Sequence, residues 1–317
     1  MPTKNKPLKK LLTMLQHKRP HDSPSERAFI ARYIDAVPGM KHDTFGNRYL
    51  RVGTSTTLFS AHTDTVHRAA GTQGLIHDAT LEIVYKDDDE PLGADDGAGV
   101  WLLLEMINAR VPGLYVFHRA EEIGGKGSTF IAAKAPELLT GINRAIAFDR
   151  KGTRDIITHQ AGGRCCSDGF AKALAGELFM KHAPSSYGVF TDTANYTHKV
   201  PECTNVSVGY EREHTAHETL DLEYLFELRE AVMEVAWEKL PTSRDPTAPD
   251  LDDYFGWGGS LYQDYSLTKG FTDDESEELL ELVYDYPEVA AQLLATLQPR
   301  SADIDAAFLA CGVRRPR

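Results

Sequence analysis

Five short stretches hold side chains of the kind that bind cations and move protons. SAHTDTV (60–66) sets an imidazole, His62, two residues ahead of a carboxylate, Asp64. At the end of a strand, residues i and i+2 point the same way. Asp64 can therefore lie beneath His62, accept the proton of its outer ring nitrogen and leave the other nitrogen to a metal. PLGADDGAGVW (91–101) puts Asp95 and Asp96 at a bend between glycines, ahead of an apolar run. VFHRAEEIGGKGS (116–128) ends an apolar stretch in Glu121 and Glu122. Neighbouring carboxylates are costly to bring together unless a cation or proton lies between them. One of the pair can hold a metal while the other handles protons. AIAFDRKG (145–152) ends a further apolar stretch in Asp149, and VGYEREHTAHETLD (208–221) supplies His214 and His217.

Each stretch alone has a plainer reading: a surface His–Asp pair, a helix N-cap from Asp95 or Asp96, a solvated glutamate pair, a turn before Gly152, a cap from Glu218 or Thr219. Together they point elsewhere. Most follow strand-like runs, and the carboxyl ends of parallel strands are where open α/β sheets bind ligands. Two histidines and three carboxylates with a spare glutamate form a nitrogen-and-oxygen donor set suited to zinc, cobalt or manganese. The set suffices for two ions sharing one carboxylate. GGKGS lacks the G-x-x-x-x-G-K-[ST] spacing of a phosphate loop.

The elements that must position these residues follow from periodicity. Leu8, Leu11, Leu12 and Leu15 mark one face of a helix over 6–17. A second helix is expected over 24–36, with Ser23 as N-cap, Pro24 in the first turn and Glu26 completing a capping box. Strands are expected in KHDTFGNRYLRV around a Gly46-Asn47 turn, and in TLFSAH, LEIVY, GLYVFHRA, INRAIAFDR, RDIITH and TNVSVGY. Helices are expected from Asp96, over 128–135, over 168–182 and from Asp221 to Leu240. This alternation predicts an α/β fold, a mostly parallel mixed sheet covered by helices on both faces.

With the five stretches in this order, the chain resembles the co-catalytic dizinc exopeptidases, a superfamily that includes peptidase T, the glutamate carboxypeptidase family and the bacterial leucyl aminopeptidases. The likeness rests on AHTDTV, GADDGAG, EEIGGKGS, FDRKG and EHTAHET and spans residues 7–240. The resemblance implies that His62 and Asp149 hold one divalent ion, that Glu122 and His214 hold the other, and that Asp95 bridges them. It also implies that Glu121 is the general base and Asp64 orients His62. His214 is preferred to His217 because the family has an acidic residue four positions after the ligand, where Glu218 stands. A cis peptide after the bridging aspartate, here Asp95–Asp96, is a further implication. The lidded branches insert a domain between the fourth and fifth ligands. Only 65 residues separate Asp149 from His214, and the sheet needs them, so the chain resembles the single-domain branch. The implied activity is hydrolysis of a peptide or acyl-amino-acid substrate with two divalent ions, zinc first and cobalt or manganese as alternatives. A deacylase on the same site, or an idle peptidase-like binding protein, are the other readings.

Composition narrows the setting. Of the net charge of −13, −9 falls after Leu240, where 15 acidic residues face 6 basic ones. Neither part offers the basic surface a phosphate backbone demands, so no nucleic-acid partner is expected. No apolar run approaches the length of a membrane span, so no membrane partner is expected. Four cysteines, two of them adjacent, make no disulfide framework and suit a reducing cytoplasm. The domain division expected is a catalytic domain over 1–240, a linker or wrapping segment over 241–271 and a small acidic helical module over 272–317. Thr272-x-x-Glu275 opens the module as a capping box. Its leucine-rich segments need a surface to bury against, either the catalytic domain or another subunit, and the second alternative is a homo-oligomer through this module.

Overall fold

TLFSAH, GLYVFH and RAIAFD each carry a run of apolar residues that does not alternate with polar ones, the composition of strands buried on both faces. In the computed structural model, which describes residues 5–248, all three are buried central strands. The tail expectations beyond residue 248 lie outside the described residues. The large sheet has eight strands: β1 (Lys41–His42), β2 (Arg48–Val52), β3 (Thr57–His62), β4 (Gly113–His118), β5 (Arg144–Arg150), β6 (Asp155–Ile157), β7 (Ala183–Ser185) and β8 (Glu202–Ser207). Their spatial order is β7-β6-β8-β5-β3-β4-β2-β1. The four central strands run parallel, while β1–β2, β2–β4 and β6–β8 are antiparallel pairs.

Alternate residues of each central strand serve opposite faces. Phe59, Tyr115, Phe117, Ile146 and Phe148 join one apolar cluster with helices α1 (Asn5–Leu15), α3 (Ala94–Asn108), α5 (Asp168–Leu178) and α6 (Leu222–Glu234). Leu58, Leu114, Val116 and Ala145 join a second cluster that includes Ile131 of α4 (Lys126–Lys134). Each fully buried Leu, Ile, Val or Phe among them contributes about 1.5–3 kcal/mol. The residues between Asp149 and His214 form β6, α5, β7 and β8, which leaves no separate domain there.

Three expectations are corrected. The helix over 24–36 is α2 only from Pro24 to Phe29 and continues as a π-turn, Ile30–Ile34. Ser23 caps it as expected, accepting from Glu26 N at 3.1 Å, but Glu26 does not close a capping box. Its buried carboxylate instead accepts from Asp22 N, from Thr63 Oγ1 at 2.8 Å and from Arg119 Nη2 at 2.9 Å. The last helix stops at Glu234, short of Leu240. There the chain turns to bury Trp237, whose indole donates to Val232 O at 3.1 Å and meets the Phe59 ring edge-on at 4.8 Å.

The body reaches past the expected boundary at residue 240. Glu202, buried at the start of β8, accepts from Ser243 N at 2.7 Å and Arg244 N at 3.1 Å. The compact unit runs to Ala248.

Candidate metal centre

His62 is the last residue of β3, in register with His118 at the end of neighbouring β4, and Asp149 closes the buried part of β5 on the other side. Three adjacent parallel strands thus deliver their carboxyl ends to one place. After β4, Ala120 adopts a left-handed backbone (φ 62°), which turns Glu121 and Glu122 back over the end of β3. Asp64 fixes that turn: its Oδ1 accepts from Glu121 N at 3.1 Å and its Oδ2 from Glu122 N at 3.3 Å. The expectation for Asp64 was a carboxylate bond to His62. The observed partner of His62 Nδ1 is the Asp64 carbonyl at 3.1 Å, with the carboxylate at 3.8 Å.

The two aspartates of GADDGAG play different parts. Asp96 caps the helix with its Oδ1, which accepts from Gly99 N at 2.9 Å, while its Oδ2 accepts from His62 N at 3.1 Å. Asp95 is left to face the cluster. Gly93 supplies the left-handed turn (φ 72°) ahead of it, and the Asp95–Asp96 peptide is cis. Buried Glu218 holds this bend, accepting from Gly93 N at 2.8 Å and Asp95 N at 2.9 Å. Neither Glu218 nor Thr219 caps α6; Asp221 does, accepting from Tyr224 N at 2.9 Å.

His214 comes from a second, four-stranded antiparallel sheet, on the loop between strands Tyr210–Glu211 and Thr219–Asp221. Its own backbone is left-handed (φ 62°), a conformation that costs a non-glycine residue about 1 kcal/mol or more and persists where surroundings enforce it. His214 Nε2 lies 3.1 Å from Asp95 Oδ2 and 3.2 Å from Glu122 Oε2. His62 Nε2 lies 3.0 Å from Asp95 Oδ1, 3.4 Å from Asp149 Oδ1 and 4.0 Å from Glu121 Oε2. All seven residues singled out in the sequence therefore gather at one site. His217 is exposed, and its only polar contact among the described residues is from its backbone N–H to Thr215 Oγ1.

The electrostatics are those of a crowded anionic cavity. Burial raises the Glu121 carboxyl well above its ordinary value, with Asp149 and Glu122 adding to the shift. Burial lifts Glu122 to about 7 and Asp149 to about 6, despite the opposing pull of the imidazoles. Burial opposes the charged forms of His62 and His214, but their carboxylate neighbours prevail and raise both well above the imidazole range. Asp95 resists its own burial and is held far below the carboxylate range by His214 and His62.

Cations fit this arrangement. Glu122 Oε1 is buried and has no hydrogen-bond partner among the described residues. Ligand atoms of His62, Asp95 and Glu122 lie within 4.8 Å of one another, as do those of His62, Asp96 and Asp149. In the second group Asp96 is engaged by two backbone N–H donors and Asp149 by two side-chain hydroxyls.

Other candidates separate clearly. Tyr210 donates to Asp149 Oδ1 at 3.1 Å. His198 is exposed and makes no bond to the cluster. Thr191, which donates to Asp149 Oδ2 at 2.7 Å, was not anticipated, because a lone threonine in a loop carries no signal. Cys165, Cys166 and Cys203 are free, buried thiols away from the cluster.

The mixed α/β fold is shared with solved peptidases. The aminopeptidase PepT of Bacillus cereus shares 14% identity, with 73% of this chain and 97% of that one covered and a TM-score of 0.59. A tripeptidase of Staphylococcus aureus shares 15% over 73% and 97%, with a TM-score of 0.59. The TET1 peptidase of Pyrococcus horikoshii, which can assemble into a tetrahedron or a large octahedral shell, shares 18% over 73% and 99%, with a TM-score of 0.54. At such identities the likeness is one of fold. No protein-family model and no curated protein matches the sequence.

Proposed function

We propose that the chain is a dinuclear metal-dependent exopeptidase, an aminopeptidase or a di- or tripeptidase. The observation that carries this reading is the division of the Asp95 carboxylate between two imidazoles, Oδ1 toward His62 and Oδ2 toward His214. In this reading His62 and Asp149 hold one ion, Glu122 and His214 the other, and Asp95 both. The donor set favours zinc, with cobalt or manganese as alternatives. Two such ions, when bound, lower the pKa of water toward neutrality and polarise a scissile carbonyl.

The protein's own residues supply the rest. Glu121 receives the proton of the attacking water and returns it to the leaving amine, a role suited to a buried carboxylate whose pKa is raised. Asp64 holds the Glu121 and Glu122 backbone, and its carbonyl sets the tautomer of His62. Thr191 and Tyr210 hold Asp149 from two sides, and Glu218 fixes the Asp95 bend. The fold shared with an aminopeptidase and a tripeptidase supports the choice of peptides as substrates.

We place the protein in the cytoplasm, a reading supported by its free buried thiols. No helix among the described residues is long and apolar enough to cross a membrane. Self-association through the C-terminal module expected over 272–317 is part of the proposal, as a fold neighbour assembles into shells. Sedimentation of the full chain tests it; a monomer contradicts it. The substrate reading is tested with zinc-loaded protein on free, N-blocked and C-blocked di- and tripeptides. Cleavage of free and C-blocked peptides but not N-blocked ones is expected of an aminopeptidase. Cleavage confined to N-acyl amino acids would replace the peptidase reading with a deacylase.

A further inference from the structure

Arg19 follows the short strand His17–Lys18 and is fully buried. A guanidinium out of water costs several kcal/mol unless its donors are met. Here carbonyl oxygens meet them: Nε donates to Thr63 O at 2.9 Å, Nη2 to Gly93 O at 3.3 Å and Nη1 to His17 O at 3.4 Å. The Phe29 ring covers it, with its centroid 4.4 Å from Cζ. Among the described residues no carboxylate forms an ion pair with it; Asp96, Glu218, Glu26 and Asp64 surround it at longer range.

The two remote carbonyls belong to the two loops that carry the site. Thr63 stands between His62 and Asp64, and Gly93 stands two residues before Asp95. One planar fork therefore spans both loops. The main chain of Arg19 adds to the grip, with Arg19 N donating to Thr65 Oγ1 at 3.1 Å and Thr65 N to Arg19 O at 2.9 Å. Gly97 packs closely here: a Cβ there would come 2.9 Å from Leu15 Cδ2 and 3.2 Å from Nη2. An apolar side chain could fill this volume at lower cost. What it could not supply is a fixed distance between two carbonyls and a positive charge beneath a group of carboxylates.

We propose that Arg19 is a positioning residue of the metal centre, locking the His62 loop to the Asp95 loop before any cation arrives. The proposal rests on the reading of the site given above and acts through backbone alone. Its test uses Arg19→Met and Arg19→Lys in the full chain. Amide hydrogen exchange of the metal-free proteins is followed over 62–65, over 93–97 and in β5, and zinc affinity is measured by competition with a chelator. The cobalt-loaded proteins are compared by visible absorption. Arg19→Met is expected to speed exchange in both loops at least tenfold with β5 unchanged, to weaken zinc binding at least tenfold, and to alter the cobalt bands. Arg19→Lys keeps the charge but not the planar fork, so the same changes are expected at smaller size. If Arg19→Met does not fold, Arg19→Lys decides. Wild-type exchange in both loops, or exchange that rises equally in β5, overturns the inference. A wild-type chain that takes up no zinc contradicts the metal reading instead, and the exchange result still decides the role of Arg19.

Discussion

Asp95 turns its second carboxylate oxygen to His214, 3.1 Å from the imidazole Nε2, although Asp95 stands at the start of helix α3 and His214 on a loop of the small antiparallel sheet, 119 positions further along the chain. The first oxygen is 3.0 Å from His62. A carboxylate so divided is the element both ions would share. Asp95→Ala is therefore expected to lose cation binding at both positions, and metal content per chain should fall from two toward zero. A variant that retains one full equivalent would show that the two sites are independent.

Glu121 is distinguished from Glu122 by its distance from the imidazoles. Its nearest approach is 4.0 Å to His62, whereas Glu122 lies 3.2 Å from His214. Glu121→Gln should keep both ions and lower kcat by roughly two or more orders of magnitude, the range for loss of a general base. Metal loss in this variant, or near wild-type turnover, would contradict the assignment.

Much of the site was legible because β3, β4 and β5 each hold apolar residues without alternation and end next to an ionisable one, a pattern that exposes strand ends without any structure. What was not legible depends on short or non-periodic pieces. The strands flanking His214 have two and three residues, too few to show a period. The Asp64 carboxylate holds the Glu121–Glu122 backbone because Ala120 takes a left-handed turn that its residue type does not announce. Arg19 and Glu26 are charged residues in a polar segment, and only the fold shows that both are buried against Thr63.

Gly99 allows the close passage of α3 beneath β5. A methyl group there would come 2.1 Å from Phe148 O and 2.3 Å from Asp96 Oδ1. Gly99→Ala should destabilise the fold by about 2–3 kcal/mol, the upper part of the overpacking range. Denaturant midpoints check this, and a loss below about 0.5 kcal/mol, the scale of an ordinary surface substitution, would contradict it.

Acid sensitivity has a source away from the metal centre. Burial holds the His182 imidazole down to about 4, and its Nε2 lies 2.7 Å from Tyr224 Oη. The unfolded chain binds a proton there below about 6.5, so stability is present above that pH and is lost as pH falls toward 4. The shift corresponds to at most about 3 kcal/mol. Metal-free His182→Gln should show a shallower fall in thermal midpoint between pH 6.5 and 4 than the wild type. His67, also held down to about 4 by burial, leaves a residual slope in both proteins. Identical slopes would contradict the role given to His182.

The bonds from Glu202 to Ser243 and Arg244 set where the body can be cut. A chain ending at Ala248 should fold, bind metal and retain turnover, because every proposed ligand lies at or before His214. A chain ending at Leu240 removes those partners and should be less stable. Loss of metal from a folded 1–248 chain would place part of the site beyond the boundary.

The central claim is a dinuclear centre, and metal titration of the chelator-stripped chain tests it most directly. Zinc uptake is followed by calorimetry while peptide hydrolysis is assayed at each step. No turnover is expected in the stripped protein, with saturation at two zinc ions per chain and no second equivalent bound tightly after His214→Ala. Full turnover in the stripped protein, saturation at one zinc ion per chain, or no zinc uptake would contradict it.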